Sequence, residues 1–138
     1  MPTRIPINED QIRVSSVAGH DNNQFGKERI VDGNSATYWL SEKMQGAAQW
    51  IIVKFHDKVK LDEVRIQFEP GLSAKSMSVR NMDPYEKELE MFFPDDTNSL
   101  QVIPIPHSPS VHNIKIAFDC STDFFGRIAV KSLEFYGA

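Results

Sequence analysis

The apolar residues of this chain come in short runs, and most of those runs have a period of two. Gln49-Trp50-Ile51-Ile52-Val53-Lys54-Phe55 is dense in β-branched and aromatic side chains, which suit a pleated strand. Residues 61–68 repeat the type with Val64, Ile66 and Phe68 on one face, and Pro70-Gly71 breaks them off. Residues 12–17 and 113–118 alternate apolar with polar side chains, and 127–136 close the chain as another strand. Weaker runs lie at 73–79, 89–93 and 100–103. Pro94-Asp95-Asp96 stops the second of these, and Pro104 with Pro106 stops the third. Residues 1–11 read as a polar lead-in in which Pro2 and Pro6 oppose helix. Helical spacing is confined to one turn at 27–31. Eight short strands with turn signals between them predict an all-β sandwich or barrel.

The chain has 138 residues, which suits a single domain over 1–138 with one real core. Hydrophobic residues make up 41% and charged residues 25%, a balance that folds. The formal net charge of -4 argues against general nucleic-acid affinity, which needs clustered Lys and Arg to neutralise phosphates. No apolar run reaches membrane-spanning length, and the first residues lack the apolar stretch of a signal peptide. Cys120 is the single cysteine, so no intrachain disulfide forms, and a reducing intracellular compartment is expected.

Asp32-Gly33-Asn34-Ser35-Ala36-Thr37-Tyr38-Trp39 concentrates oxygen ligands around a turn glycine. Two readings stand. The loop is an oxygen cage for Ca2+, which takes six to eight such ligands. Alternatively it is an Asx-type turn, with the Asp side chain bonding its own backbone. Catalysis finds little support. His20, His56, His107 and His112 are scattered, Cys120 has no evident base, and no Gly-rich phosphate loop or Ser-centred elbow occurs. Asp95-Asp96 reads as a solvated turn. Trp39 and Trp50 read as core residues rather than sugar platforms. Phe124 and Phe125 beside Arg127 read either as a partner hot spot or as the packed lead-in to the last strand.

Three segments carry a family resemblance. Asp32-Gly33-Asn34 with Thr37 and Trp39, then 49–55, then Phe125-Gly126-Arg127 and the strand to Gly137, resemble the discoidin domain. This is also called the coagulation-factor type C or galactose-binding-like domain. The resemblance implies an eight-stranded jelly-roll β-sandwich with its chain ends close together. It also implies a structural Ca2+. The ligands carried over are the carboxylates of Asp32 and Glu134, the Thr37 hydroxyl, and the carbonyls of Arg29, Asn34, Thr37 and Leu133. Binding is implied at loops of one end, here 20–24, 41–47, 71–75 and 121–124. His20, Met44, Phe124, Phe125 and Arg127 are the candidate partner contacts. The 41–47 loop also holds Glu42, Lys43 and Gln45.

Arg13-Val14-Ser15-Ser16-Val17, Gln24-Phe25-Gly26-Lys27, Ile66-Gln67-Phe68 and Thr122-Asp123-Phe124-Phe125-Gly126-Arg127 narrow the resemblance. So does the run Asp95-Asp96-Thr97-Asn98-Ser99-Leu100-Gln101 with Pro104-Ile105-Pro106. These look like the single-domain, nuclear-receptor-associated branch of the family. That branch implies a non-catalytic intracellular protein-binding module, in nucleus or cytoplasm, that represses transcription and has an orphan nuclear receptor as partner. Intraflagellar-transport subunits of the same fold share the Asp-Gly-Asn loop and are the nearest rival. A sugar-reading lectin is a further alternative, and a membrane-surface binder is disfavoured by the negative charge and the scarcity of Trp and Leu at the loop tips.

Overall fold

The computed structural model describes residues 3–44 and 46–138. Met1 and Pro2 of the lead-in and Gln45 of the 41–47 loop lie outside the described residues. The described residues form nine strands: β1 (Thr3–Ile5), β2 (Ile12–Val14), β3 (Trp39–Leu40), β4 (Gln49–Phe68), β5 (Ala74–Asn81), β6 (Lys87–Phe92), β7 (Gln101–Pro104), β8 (Ser110–Ser121) and β9 (Ala129–Gly137). Every pairing is antiparallel. The expected helical turn is a 3-10 turn over Lys27–Ile30, and a short helix, α1, spans Asn22–Phe25. No described helix is long and apolar enough to cross a membrane.

The strand count of eight needs correction at three places. Residues 49–55 and 61–68 form one strand, because 56–60 hold polar residues but neither Gly nor Pro to break the backbone. The β4–β8 ladder shifts register between Lys54 and Val59, and there β4 passes from one layer to the other. Its first half pairs with β2 and β8, and its second half with β7 and β9. β1 and β3 add to the same strand, β9, and were hidden by their lengths of three and two residues. Thr3 faces Gly137 across β1–β9, which brings the chain ends together.

One layer therefore runs β2-β4-β8-β5-β6 and the other β7-β4-β9, with β1 and β3 on the far side of β9. Alternation sends Ile51, Val53 and Phe55 of β4 inward, together with Val64, Ile66 and Phe68 beyond the bend. Phe68 and Phe118 meet edge to face at 6.0 Å, and Phe55 and Phe135 at 5.2 Å. Trp39 is fully buried as expected, and its indole N–H donates to the Ser16 carbonyl at 2.9 Å. Trp50 corrects the sequence reading. The period of two that points Ile51 and Val53 inward turns Trp50 to the outer face, half-buried, with the Lys115 ammonium 5.8 Å from its ring.

Replacing Trp39 with Ala removes the largest buried side chain and orphans the Ser16 carbonyl. Trp39→Ala is expected to cost about 3–5 kcal/mol, read as a lower urea midpoint with an unchanged slope.

Candidate functional site

The four loops expected at one end of the sandwich form a continuous chain of contacts. Gly19 donates its N–H to the Glu42 carboxylate at 2.9 Å, joining the 18–24 and 41–44 loops. His20, exposed with φ of 55°, follows directly. The Met44 N–H donates to the Phe125 carbonyl at 3.1 Å, joining 41–44 to 121–127. Ser73 accepts from Thr122 N–H at 2.8 Å and donates its own N–H to the Thr122 hydroxyl at 3.1 Å. That joins the 71–75 loop. The loops named from the sequence thus lie against one another, and the pairings between them are new.

Buried polar residues hold this end rigid. Ser41 is fully buried; its hydroxyl accepts from the Ile128 N–H at 2.9 Å and donates to the Glu42 carbonyl at 2.9 Å. The Gln49 amide oxygen accepts from the hydroxyls of Ser15 at 2.5 Å and Ser16 at 2.8 Å. Its nitrogen donates to the carbonyls of Glu42 and Lys43 at 3.3 and 3.4 Å. Neither residue was singled out from the sequence. Gln49 did leave a signal: it shares the inward parity of Ile51 and Val53, where an amide must find partners. Asp96 is likewise more than a solvated turn residue. It accepts from the Ser73 hydroxyl at 2.6 Å and the Gly71 N–H at 2.8 Å, and these bonds hold its carboxyl below the usual range.

The 121–127 loop carries the exposed aromatics. Asp123 closes it from inside, accepting from the Arg127 Nε at 2.9 Å, its Nη2 at 3.1 Å and its backbone N–H at 3.1 Å. This two-pronged pair lowers the Asp123 pKa and raises that of Arg127. Gly126, at φ +80°, has no Cβ where one would stand 2.5 Å from the Met44 Cβ, so the two loops press together. The hairpin thrusts Phe124 outward, 94% exposed, and leaves Phe125 51% exposed against it in a T-shaped contact at 5.3 Å. Lys43 Nζ lies 4.9 Å from the Phe125 ring and the Arg127 guanidinium 5.7 Å. Of the two readings of this pair, packed lead-in fits Phe125 in part and Phe124 not at all.

The Asp32 loop is an Asx turn in this structure. Asp32 accepts from the Asn34 N–H at 3.0 Å and the Thr37 hydroxyl at 2.5 Å, and the Asn34 amide oxygen accepts from the Ala36 N–H at 2.9 Å. Each expected carboxylate ligand faces a guanidinium: Arg29 lies 3.5 Å from Asp32, and Arg4 lies 3.8 Å from Glu134. Glu134 shares a cavity of about 240 Å³ with Gly33 and Asn34, while the Asp32 carboxylate borders a separate depression beside Glu28. Among the described residues no three His, Cys, Asp or Glu side chains gather closely enough to hold a metal by themselves. The donor chemistry, all oxygen from an early loop and the last strand, suits a hard cation. The side chains as placed pair with arginine.

A group whose folded pKa lies below its unfolded value stabilises the fold above the carboxylate range and loses that contribution as pH falls through it. Asp123 and Asp96 both behave this way. Asp123→Asn is expected to be less stable than the parent at neutral pH and to lose less on acidification. Thermal melts across the acid range should converge at low pH.

Sequence and structure comparisons agree with this architecture. The F5/8 type C domain model matches residues 11–86. Nuclear receptor 2C2-associated protein of Danio rerio is 46% identical, over 99% of this chain and 97% of its own length. The Homo sapiens protein of the same name is 35% identical over 91% of this chain and 89% of its own. Among solved structures, the F5/8 type C domain of a Bacteroides fragilis protein superimposes with a TM-score of 0.80 at 14% identity, covering 99% of this chain and 96% of that one. The family 32 CBM of C. perfringens NanJ, solved in complex with galactose, gives 0.80 at 16% identity over 99% of each chain. With its β4-linked sandwich, joined chain ends and four-loop end, the chain belongs to the F5/8 type C, or discoidin-like, domain family.

Proposed function

We propose that this chain is a non-catalytic protein-binding module, acting inside the cell as a nuclear-receptor-associated co-regulator of transcription. The observation that carries the reading is the Phe124 and Phe125 pair on a loop braced by the Asp123–Arg127 ion pair. A braced loop loses little entropy when a partner docks, and an exposed aromatic beside Arg and Lys is the chemistry of interface centres. The extent of the match to relatives named nuclear receptor 2C2-associated protein supports the choice of an orphan nuclear receptor as partner. Met44 and His20 border the same end and complete the contact face. Neither nucleic acid nor membrane has a place in this reading, since the aromatic tip is flanked by single cations rather than a basic field.

The test is affinity purification of the tagged chain from its own cells, beside Phe124→Ala and Phe125→Ala forms. Nuclear receptors or co-repressors should be recovered with the parent and lost by about tenfold or more with either variant, the range of a truncated interface aromatic. Recovery of ciliary-transport subunits would replace the co-regulator reading with an adaptor of that kind. Glycoproteins released by free galactose would replace it with a lectin.

The reading includes a structural Ca2+, held by Asp32, Thr37 and Glu134 with carbonyls of Arg29, Asn34, Thr37 and Leu133. Binding would exchange the Arg29 and Arg4 ion pairs for metal, and would link the early loop to β9. Because Ca2+ would bind the folded chain alone, millimolar Ca2+ is expected to raise the melting temperature and a chelator to lower it. An unchanged melting temperature in both, with no metal in the purified protein, removes the metal from the reading.

A further inference from the structure

The two layers of the sandwich both end on one side without a covering strand. There β6 pairs only with β5 and β7 only with β4 among the described strands. Between them lies a cavity of about 730 Å³, lined by Phe92, Ile103 and Ile105 with Glu90, Asp62 and Lys60 at its margins. Tyr85, Met91, Phe93, Leu100 and Val102 are exposed on β6, β7 and the residues beside them, Phe93 by 70%. Apart from Phe124 and Phe125, these are the large exposed apolar side chains of the described surface.

The two free edges differ. β7 has four residues and ends in Pro104, which cannot donate to a further ladder. β6 has six residues and no proline. An unpaired β6 is a template for another strand, and its charges decide which strand it accepts. The ladder places Glu90 opposite Val79 and Phe92 opposite Met77, and both of those partners are core residues. Glu90 therefore sits on the groove-facing side of β6, where no described residue pairs with it by hydrogen bond or ion pair. A strand added to β6 would cover that carboxylate, which is costly unless the incoming strand brings a cation. Asp62 and Lys60 line the same cavity, and Glu88 on the outer face lies 3.6 Å from the Arg80 guanidinium. A second copy of this chain paired in the register that sets Glu88 against Glu90 would oppose like charges and is disfavoured.

We infer that the free edge of β6 binds an extended basic segment of another polypeptide, which adds as a strand and sets Lys or Arg against Glu90 and Asp62. Its apolar residues lie over Phe92 and Ile103. This surface is separate from the loop end and does not depend on it.

The test titrates the full chain into a fluorescein-labelled peptide that alternates valine with lysine, followed by anisotropy. Saturable binding is expected. The same peptide methylated on alternate backbone nitrogens should bind at least about tenfold more weakly, since strand addition rests on main-chain hydrogen bonds. A peptide alternating valine with glutamate should not bind. The charge-reversed form carrying Glu90→Lys and Asp62→Lys should exchange these preferences, whereas Phe124→Ala should leave them unchanged. Circular dichroism checks that each variant is folded, and Glu90→Gln, which keeps the shape, should weaken the lysine peptide alone. No binding of the lysine peptide overturns the inference. Equal affinity for the methylated peptide, preferences unmoved by charge reversal, or dimers paired through β6 in sedimentation overturn it too.

Discussion

β4 belongs to both layers, and that continuity constrains everything else. A strand of twenty residues cannot serve two packed sheets without bending between them. The bend falls where the β8 ladder slips between Lys54 and Val59, and the inward positions change from odd-numbered before it to even-numbered beyond a second slip at Leu61–Glu63. One strand thereby supplies Ile51, Val53 and Phe55 to one wall of the core, and Val64, Ile66 and Phe68 to the other. The start of β4 reaches the loop end, where Gln49 ties Ser15, Ser16 and the 42–43 carbonyls together. The middle of β4 supplies Lys60 and Asp62 to the groove at the open side. Core, loop end and groove thus share a single element, which fixes their separation.

The loop end is rigid because its polar groups are spent on one another. Ser41, Gln49, Ser73, Asp96, Asp123 and Arg127 form a set of bonds that joins four chain segments far apart in sequence. Such bonds add modestly to stability one by one. Their larger effect is geometric, since they leave Phe124 as the one side chain of that hairpin that finds nothing of its own chain to cover it apart from Phe125. Mutual pairing of the polar set and exposure of the aromatic are two sides of the same arrangement.

The strand pattern was legible because a period of two survives wherever one face of a sheet is buried. It failed where that logic weakens. β1 and β3 are too short to show a period, and the polar 56–60 stretch has no breaker, so a bend looked like a gap between strands. At Trp50 residue type and parity disagree: an indole suits a core, but its neighbours Ile51 and Val53 point inward and fix it on the outer face. At the loop end, Phe124, Phe125 and Arg127 were visible as residue types. The Asp123–Arg127 clasp was latent in their i,i+4 spacing. The Ser41 and Gln49 bonds cross many residues to partners in other loops, and no local pattern announces them. The Asp32 loop shows the converse case: sequence left turn and cage open, and the loop forms the turn, with Asp32 bonded to the Asn34 N–H and the Thr37 hydroxyl.

The two exposed apolar regions differ in what they demand of a partner. At the loop end the aromatics stand on a braced tip with Lys43 and Arg127 beside them, so an acidic or apolar face meets it without burying an unpaired charge. At the β6 edge the groove is apolar within, with Asp62, Glu90 and Lys60 beside it, and Glu90 has no hydrogen-bond or ion-pair partner among the described residues, so a covering strand must answer it. An inward carboxylate on a free edge protects the sandwich from pairing with itself. The same carboxylate selects, because the cost it imposes on a neutral strand is offset only by a cation set at the matching position. Protection and selectivity then come from one residue, and a chain that exposes an edge this apolar gains both from keeping it.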